Sequence, residues 1–179
     1  MPLSCLNRVK EKFTKRLTII FVNTISDCIR LGKTSSPFVL GNSSYRFHAC
    51  TSKLNWIKSR QLCKRAGSDL VSIESKKEWG FLKNAIQRMN TAEYFIGLKK
   101  DISSNEWRWI SDNSTVNATE GKFPWANGEP NGKNEDCAVM FKDYKNYYGL
   151  FNDLSCKAGK RLGYICESPT NSTDQKGMS

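Results

Sequence analysis

The chain has 179 residues, which is enough for one domain of ordinary size with additional residues at its ends. Its apolar content of 39% and its five tryptophans can supply a hydrophobic core. An excess of 28 Lys and Arg over 17 Asp and Glu gives a net charge of +11. Because the basic residues are spread along the chain and no nucleic-acid-binding motif accompanies them, we do not expect a nucleic-acid partner.

A basic cluster followed by a short apolar run opens the chain. The basic side chains are Arg8, Lys10, Lys12, Lys15 and Arg16, and residues 17–22 form the run. Such a cluster is typical of the cytoplasmic flank of a membrane anchor, but a span needs about twenty apolar residues, and no signal-peptide cleavage site follows. The run is either the remnant of a truncated anchor or a helix that packs on the domain. We expect residues 1–40 to form a tail or stalk.

The cysteines and glycosylation sequons indicate the secretory pathway. Seven cysteines lie without the Cys-x-x-Cys pairs of zinc sites, which predicts disulfides and an oxidising compartment. The odd count leaves at least one cysteine for an intermolecular bond or as a free thiol. Four sequons predict N-glycosylation, at Asn42, Asn113, Asn117 and Asn171. We therefore expect a cell-surface (type II membrane) or secreted glycoprotein.

Two helices are predicted after an alternating strand at 45–47. Residues 55–65 have helical spacing, which places Trp56, Ser59 and Cys63 on one face. A second helix begins at the capping box from Ser75 to Glu78, in which each side chain is expected to bind the backbone N–H of the other. Its apolar face recurs at three- and four-residue steps, at Trp79, Leu82, Ala85, Ile86 and Met89.

Strands and one long irregular stretch follow the helices. Apolar or alternating runs predict strands at 95–98, 107–110, 138–141 and 162–165. Residues 111–135 are rich in Asn, Gly, Ser, Thr and Pro, and so long an irregular stretch in a compact domain is usually functional. The order of elements predicts an α+β domain over residues 41–167, followed by a polar tail over residues 168–179.

The irregular stretch ends in a concentration of oxygen donors. Glu129-Pro130-Asn131 is followed by Glu135, and Asn152-Asp153 lies just before Cys156. Carboxylates and amides without histidine or thiolate are the ligands of calcium, which takes six to eight oxygens. A solvated loop carboxylate is the simpler interpretation of any single acid. Taken together, in this order beside cysteines, the donors predict a calcium site that can also accept sugar hydroxyls.

These motifs together resemble a C-type lectin domain. The similarity covers residues 45–167 and rests on Trp56, on the 95–98 and 107–109 runs, and on the donors and cysteines, all in the family's order. Residues 97–100 and 107–110 are similar to the type II receptors of natural killer and myeloid cells. Selectins and mannose-binding lectins share the Glu-Pro-Asn and Asn-Asp features. The resemblance implies two helices packed on small antiparallel sheets, with a long calcium-binding loop region.

The resemblance also implies specific bonds and ligands. It implies that Cys63 bonds Cys166 and that Cys137 bonds Cys156. Five side chains are expected to bind both Ca²⁺ and the sugar: Glu129, Asn131, Glu135, Asn152 and Asp153. Two vicinal sugar hydroxyls would complete the calcium shell and hydrogen-bond the same side chains. Glu-Pro-Asn, with a cis Pro130, resembles the members that prefer mannose, fucose or N-acetylglucosamine.

Two features depart from the family pattern. Only Gly132-Lys133-Asn134 separates Asn131 from Glu135, so the approach of Glu135 to the ion depends on how this short link turns. Ser44 stands where long-form domains carry a cysteine, which leaves Cys50 without its usual partner. Cys50 can pair with Cys28, and Cys5 or Cys28 can instead link two chains in a stalk.

Two functions follow from these observations, and an enzyme is the least expected class. The first is a calcium-dependent lectin, a receptor of immune type that binds glycans or glycoproteins. The alternative is a calcium-independent receptor of the same fold that binds a protein ligand on another cell. The single histidine, His48, lies far in sequence from any acid pair, and no nucleophile motif accompanies it. Weak single-site sugar affinity leads us to expect a homo-oligomer.

Overall fold

The computed structural model describes residues 38–116 and 124–170, together with the backbone of residues 28–31. The sequons at Asn117 and Asn171, the apolar run at 17–22 and Cys5 lie outside these ranges. Within them two helices are found, α1 (Trp56–Arg65) and α2 (Lys76–Ile86). The strands are β1 (Cys28–Leu31), β2 (Phe38–Leu40), β3 (Ser43–Cys50), β4 (Asp69–Leu70), β5 (Glu93–Asp101), β6 (Glu106–Trp109), β7 (Cys137–Phe141), β8 (Phe151–Leu154) and β9 (Gly163–Pro169).

The first helix, α1, is fixed at its start by a side-chain cap and along its inner face by burial. Asn55 accepts the backbone N–H of Lys58 at 2.9 Å, which satisfies one donor that the first turn leaves unpaired. Trp56, Ser59 and Cys63 are buried, as the helical spacing predicts. The Trp56 indole N–H donates to the carbonyl of Ile96 at 2.7 Å, so the helix is tied directly to β5.

The start of α2 confirms one half of the predicted capping box. The Ser75 hydroxyl accepts the N–H of Glu78 at 3.1 Å. The carboxylate of Glu78 instead accepts the N–H of Glu74 at 2.9 Å and the hydroxyl of Tyr45 at 2.8 Å. Burial raises the pKa of Glu78. The expected return bond to Ser75 is replaced because a tertiary donor from β3 reaches the same carboxylate.

The described strands form one connected sheet in the order β1-β3-β9-β5-β7-β8, with β2 and β4 paired to β3 and β9, and β6 paired to β5. The α+β class is confirmed. The small antiparallel sheets that the resemblance implies are joined into one, because β9 pairs with β3 on one side and with β5 on the other. The β5–β9 pairing is parallel, with Tyr94 opposite Gly163 and Phe95 opposite Tyr164.

Strand pairing also reaches into residues that the sequence assigns to the tail or stalk. β1 runs antiparallel to β3, with Cys28 opposite Cys50 in the register. Cys50 is disulfide-bonded. The domain boundary at residue 41 stays a prediction. None of the helices in the described ranges is long and apolar enough to span a bilayer.

Both predicted disulfides are present. Cys63 bonds Cys166 and thereby joins α1 to β9. Cys137 bonds Cys156 and closes a loop of 19 residues that contains β7 and β8. In a chain-entropy model each bond stabilises the fold by about 3–5 kcal/mol, with the larger value for the longer loop.

The core consists of two clusters that share the same strands. Alternate side chains of a strand point to opposite faces, and β5 accordingly sends Tyr94, Ile96 and Leu98 to the cluster under α2. Phe95 enters the cluster under α1, together with Trp56. The sheet therefore lies between the two helices, and its strand ends position the loops described below.

Gly97 is required by a close backbone approach in the centre of β5. A Cβ atom at this position would lie 2.8 Å from the carbonyl oxygens of both Leu70 and Val71 and 2.9 Å from the Ile110 side chain. The Gly97 N–H donates to the Val71 carbonyl at 2.7 Å. The absence of a side chain lets the segment after β4 run against β5.

We expect Gly97→Ala to destabilise the fold by about 1–3 kcal/mol, because the added methyl group meets backbone that cannot move independently. Gly80→Ala is the matched control, since no atom lies within 4 Å of a Cβ built at Gly80 in α2. That control should stabilise the protein by up to about 1 kcal/mol. Urea denaturation of both variants measures the free energies of unfolding. Equal values for the two variants would contradict the close approach.

Candidate functional site

Three of the five predicted donors, Glu129, Asn131 and Glu135, lie on a loop that is docked against the start of β8, the strand that carries Asn152 and Asp153. The Phe151 N–H donates to the Pro124 carbonyl at 2.8 Å, and the Ala126 N–H donates to the Phe151 carbonyl at 2.9 Å. Trp125, which is 3% exposed, packs its ring 4.7 Å from that of Trp107 and 6.1 Å from that of Phe151. The segment 124–126 therefore anchors the donor loop, which we define as residues 127–135.

A turn delivers Glu129 from this anchor. The Glu129 N–H donates to the Ala126 carbonyl at 3.0 Å, and Gly128 has a φ of 87°, a conformation that favours glycine. The Glu129–Pro130 peptide bond is cis, the isomer that the resemblance implies. The carboxylate of Glu129 and the amide of Asn131 thus follow directly after the docked segment.

Asp153 holds the donor loop from β8. Its side chain is almost fully buried. Its Oδ1 accepts the backbone N–H of Asn131 at 3.2 Å, and its Oδ2 accepts the N–H of Gly132 at 2.7 Å. Hydrogen bonds to a carboxylate are stronger than those between neutral groups. A residue predicted as a calcium ligand therefore also fixes the backbone of two residues after Pro130.

Glu129 carries an acceptor that protein groups leave unsatisfied. Its Oε2 is buried and, in the ionised form, accepts no hydrogen bond from the described residues. Burial raises the pKa of Glu129 to about 7, and a hydrogen bond that protonated Glu129 can donate to Asp153, together with the charges of Asp153 and Glu135, adds to the rise. An unpaired buried acceptor of this kind is costly, and crowded like charges add to that cost.

The short link between Asn131 and Glu135 turns Glu135 back over Gly132. A Cβ on Gly132 would lie 2.0 Å from Glu135 Oε2, so this carboxylate fills the space that a side chain at 132 would take. Asn134 has a φ of 67°, in the left-handed region that asparagine tolerates. Burial raises the pKa of Glu135, and the charge of Asp153 raises it further. The link therefore brings Glu135 toward Asp153.

The structure places the five predicted ligands unequally. Asp153 lies close enough to Glu129 and Glu135 to raise the pKa of both, and Glu135 also raises the pKa of Glu129. Asn131 is attached to Asp153 through its backbone. Asn152 is half-buried on β8, opposite Val139 in the register. In the described part of the chain, no three Asp, Glu, His or Cys side chains form a group that could hold a metal ion by themselves. A calcium shell here would have to include amide or other oxygens.

The sequence analysis did not predict that Trp125 anchors the donor loop. The sequence feature that indicates this anchor is the apolar Phe-Pro-Trp run at 123–125, which stands inside an otherwise polar stretch shortly before the donors. That run predicts an anchor for the loop, but the partners of Trp125, namely Trp107 and Phe151, lie far away in the sequence.

The remaining predicted residues lie outside the donor loop. Asn42 is exposed in the turn between β2 and β3, and Asn113 is exposed after β6, so both are accessible for glycosylation, which stays a prediction. The His48 ring is half-buried and stacks on Tyr164, with 4.5 Å between the ring centres.

The connected sheet, both disulfides and the donor loop agree with one family. The family model described as the lectin C-type domain matches residues 52–168. The chain belongs to the C-type lectin domain family. This is a family of non-enzymatic carbohydrate-binding domains, so the chain is not an enzyme.

Individual relatives agree with this assignment. P-selectin of Rattus norvegicus is 33% identical over 138 residues, which cover 75% of this chain and 17% of P-selectin. The chain therefore spans less than a fifth of the length of this curated relative. A solved complex of SPL-1 with GlcNAc is 26% identical, with a TM-score of 0.63 over 75% of this chain and 93% of that one. The C-type lectin domain of murine dendritic cell inhibitory receptor 2, in complex with N-glycan, is 28% identical, with a TM-score of 0.62 over 78% and 100% of the two chains.

We expect Glu129 to lower the stability of the calcium-free protein as the pH rises. Its folded pKa of about 7 lies above the ordinary 4.5, so the folded state holds the proton more tightly than the unfolded state. Stability is therefore lost as the pH rises from about 4.5 through about 7. Glu129→Gln, which is neutral at every pH, should lose less stability between about pH 5 and about pH 7.5.

Urea denaturation in the presence of a chelator measures this difference. Glu106→Gln, which changes an exposed glutamate outside the loop, is the matched control and should follow the wild-type pH dependence. A Glu129→Gln variant with the wild-type pH dependence would show that the pKa of Glu129 is not raised in the folded protein.

Proposed function

We propose that the domain binds glycans through a calcium ion, with Glu129, Asn131, Glu135, Asn152 and Asp153 as ligands of both the ion and the sugar. One observation carries the proposal. Glu129 presents a buried carboxylate oxygen that, when ionised, accepts no hydrogen bond from the described residues, and two further carboxylates lie nearby. Such a group of like charges is stabilised by a cation, and calcium is the ion that carboxylate and amide oxygens select.

The residues present fit calcium in charge and in donor type. Three carboxylates and two amides supply hard oxygens, and the amides limit the negative charge of the site. When bound, calcium neutralises the carboxylates and takes neutral hydroxyl oxygens as further ligands. Asp153 would serve this site while its oxygens hold the N–H groups of Asn131 and Gly132, so the loop backbone and the binding oxygens are fixed by one side chain.

The same side chains suit a sugar with two neighbouring hydroxyl groups. Each hydroxyl can donate one hydrogen bond and accept others. Glu129 and Glu135 accept from these hydroxyls, whereas the amides of Asn131 and Asn152 donate to them. We assign a preference for mannose-, fucose- or N-acetylglucosamine-type sugars on the basis of Glu129-Pro130-Asn131. The similar structures that contain GlcNAc and N-glycan support a glycan of this class.

We further infer that the protein is a glycosylated receptor of immune type, either secreted or at the cell surface and attached through its N-terminal region. The two disulfides support an oxidising compartment. The exposure of Asn42 and Asn113 supports glycosylation at these two sequons. Self-association would raise the apparent affinity of a shallow sugar site through multivalency.

A second candidate function, binding of a protein ligand without calcium, is favoured by the hairpin between β7 and β8. Tyr144 is 47% exposed and Tyr148 is 43% exposed. Tyrosine is enriched in protein–protein interfaces because a large rigid ring buries much surface at little entropic cost. Binding through these rings would not depend on Glu129 or on calcium.

A glycan array with calcium and with chelator separates the two functions. We expect binding to mannose-, fucose- or N-acetylglucosamine-terminated glycans that chelator abolishes. Glu129→Gln should weaken the affinity for calcium and for glycan by at least about tenfold, because it removes a charged ligand. Glu106→Gln should leave both affinities unchanged. Glycan binding that survives the chelator, or no glycan binding at all, would rule out the calcium site as the sugar site.

Gly132→Ala tests the link that positions Glu135. The added Cβ would occupy the place of the Glu135 carboxylate, so that carboxylate must move away. We expect calcium affinity, measured by calorimetry, to fall by about tenfold or more, while the free energy of unfolding without calcium changes little. Gly159→Ala is the control, since its Cβ would lie at ordinary contact distance, 3.7 Å from Lys53. Wild-type calcium affinity in Gly132→Ala would exclude Glu135 as a ligand in this position.

A further inference from the structure

A second charged surface lies on the outer side of α1. Residues 51–68 and 154–166 contain eight basic side chains and no Asp or Glu. We define these eight residues as the α1 basic face: Lys53, Lys58, Arg60, Lys64, Arg65, Lys157, Lys160 and Arg161. Arg60 is half-buried and the other seven are exposed. None of the eight is a ligand in the proposed calcium site.

Backbone pairing brings the two basic segments together. The Leu54 N–H donates to the Lys160 carbonyl at 3.1 Å, and the Lys160 N–H donates to the Leu54 carbonyl at 3.2 Å. A Cβ on Gly159 would lie 3.7 Å from the Cβ of Lys53. Lys58 lies in the first turn of α1, which begins two residues after Leu54. The positive charges therefore form one surface although they come from distant parts of the sequence.

A hollow of about 580 Å³ lies within this surface. Its lining residues are Trp56, Ile57, Arg60, Gln61, Lys64 and Arg65. The Asp69 carboxylate forms salt bridges with Arg60 Nε at 3.0 Å and with Lys64 Nζ at 2.9 Å. These bonds orient both basic side chains, and the single negative charge of Asp69 offsets only one of their two positive charges. The guanidinium group of Arg60 also lies 5.7 Å from the centre of the Trp56 ring. The hollow thus combines oriented cations with the polar amide of Gln61.

We propose that the α1 basic face binds a sulfated polysaccharide, and that it does so without calcium. The basic side chains extend along α1, a length of about 15 Å, and continue onto the 157–161 segment. An extended chain with sulfate groups at regular intervals matches a row of cations of this kind. Arginine binds such oxyanions through two parallel hydrogen bonds, and lysine binds them as a point charge.

Two other polyanions fit the surface less well. Proteins that bind single-stranded nucleic acid offer exposed aromatic rings on which bases stack, whereas Trp56, the aromatic residue of the hollow, is only 3% exposed. Anionic lipids are concentrated in the cytoplasmic leaflet of the membrane. The disulfides of this domain place it in an oxidising compartment, away from that leaflet.

The proposal is independent of the proposed calcium site, and the test keeps the two apart. All binding is measured in the presence of a chelator, so a failure of the calcium site does not affect the result. Lys160 is left unchanged in every variant because its charge opposes the rise in the pKa of Glu135.

The first measurement uses the wild-type chain and immobilised heparin. We expect chelator-insensitive binding at about 0.15 M salt. The logarithm of the association constant should fall linearly with the logarithm of the salt concentration, because binding releases the cations that are condensed on the heparin chain. Hyaluronan, which carries carboxylates and no sulfate, should bind at least about tenfold more weakly. No binding at this salt concentration, or equal binding to hyaluronan, would overturn the proposal. This comparison needs no variant and does not depend on the folding of one.

The second measurement compares two triple variants with the same change in net charge. Lys53→Glu, Lys58→Glu and Lys157→Glu together should weaken heparin binding by at least about tenfold and flatten the salt dependence. The control combines Lys77→Glu, Lys99→Glu and Lys145→Glu, which are exposed lysines elsewhere on the domain. It should weaken binding by less than about threefold. Equal losses in the two variants would show that only the overall charge matters, which overturns a defined face.

Competition decides between the classes of polyanion. Single-stranded DNA and phosphatidylserine vesicles are added to the heparin-bound protein in the presence of a chelator. We expect soluble heparin to displace the protein at a lower concentration of charged groups than either competitor. If the DNA or the vesicles compete better than heparin, the surface belongs to that other class of partner and the proposal fails.

Discussion

The site depends on the two hydrogen bonds that the buried carboxylate of Asp153 accepts from the donor loop. The two oxygens of Asp153 accept the N–H groups of Asn131 and Gly132, so a side chain on a core strand determines the path of an otherwise irregular loop. The arrangement places the carboxylates of Glu129 and Glu135 near that of Asp153. Burial and this proximity raise the pKa values of Glu129 and Glu135. The fold therefore positions these acids at an energetic cost that a cation can offset.

The surrounding structure keeps Asp153 in place from three directions. β8 pairs with β7 along its length, with Ala138 opposite Asp153. The Cys137–Cys156 bond joins the first residue of β7 to the segment just after β8. Trp125 packs against Phe151 at the start of β8 and brings the loop to the strand. The irregular loop is thus held by regular neighbours, and little of its order depends on its own sequence.

Much of this could be predicted from local pattern, and the remainder depends on distant partners. The buried face of α1 follows from helical spacing alone, whereas the calcium chemistry proposed for Glu129, Asn131 and Asp153 rests on the oxygen donors that these residues carry. The second bond of Glu78 could not be predicted, because Tyr45 reaches its carboxylate from another strand. The position of the Glu135 side chain over Gly132 could not be predicted either. The sequence gives the number of residues between Asn131 and Glu135, but it does not give the direction in which that link turns.

The docking of residues 124–126 has a consequence for engineering the donor loop. The loop is attached at Trp125 on one side and at Cys137 on the other, and both residues belong to the core. Exposed positions between them, such as Asn127 and Lys133, lie outside both apolar clusters. The domain is therefore a scaffold in which selection for new ligands can act on these positions while the framework retains its own stability.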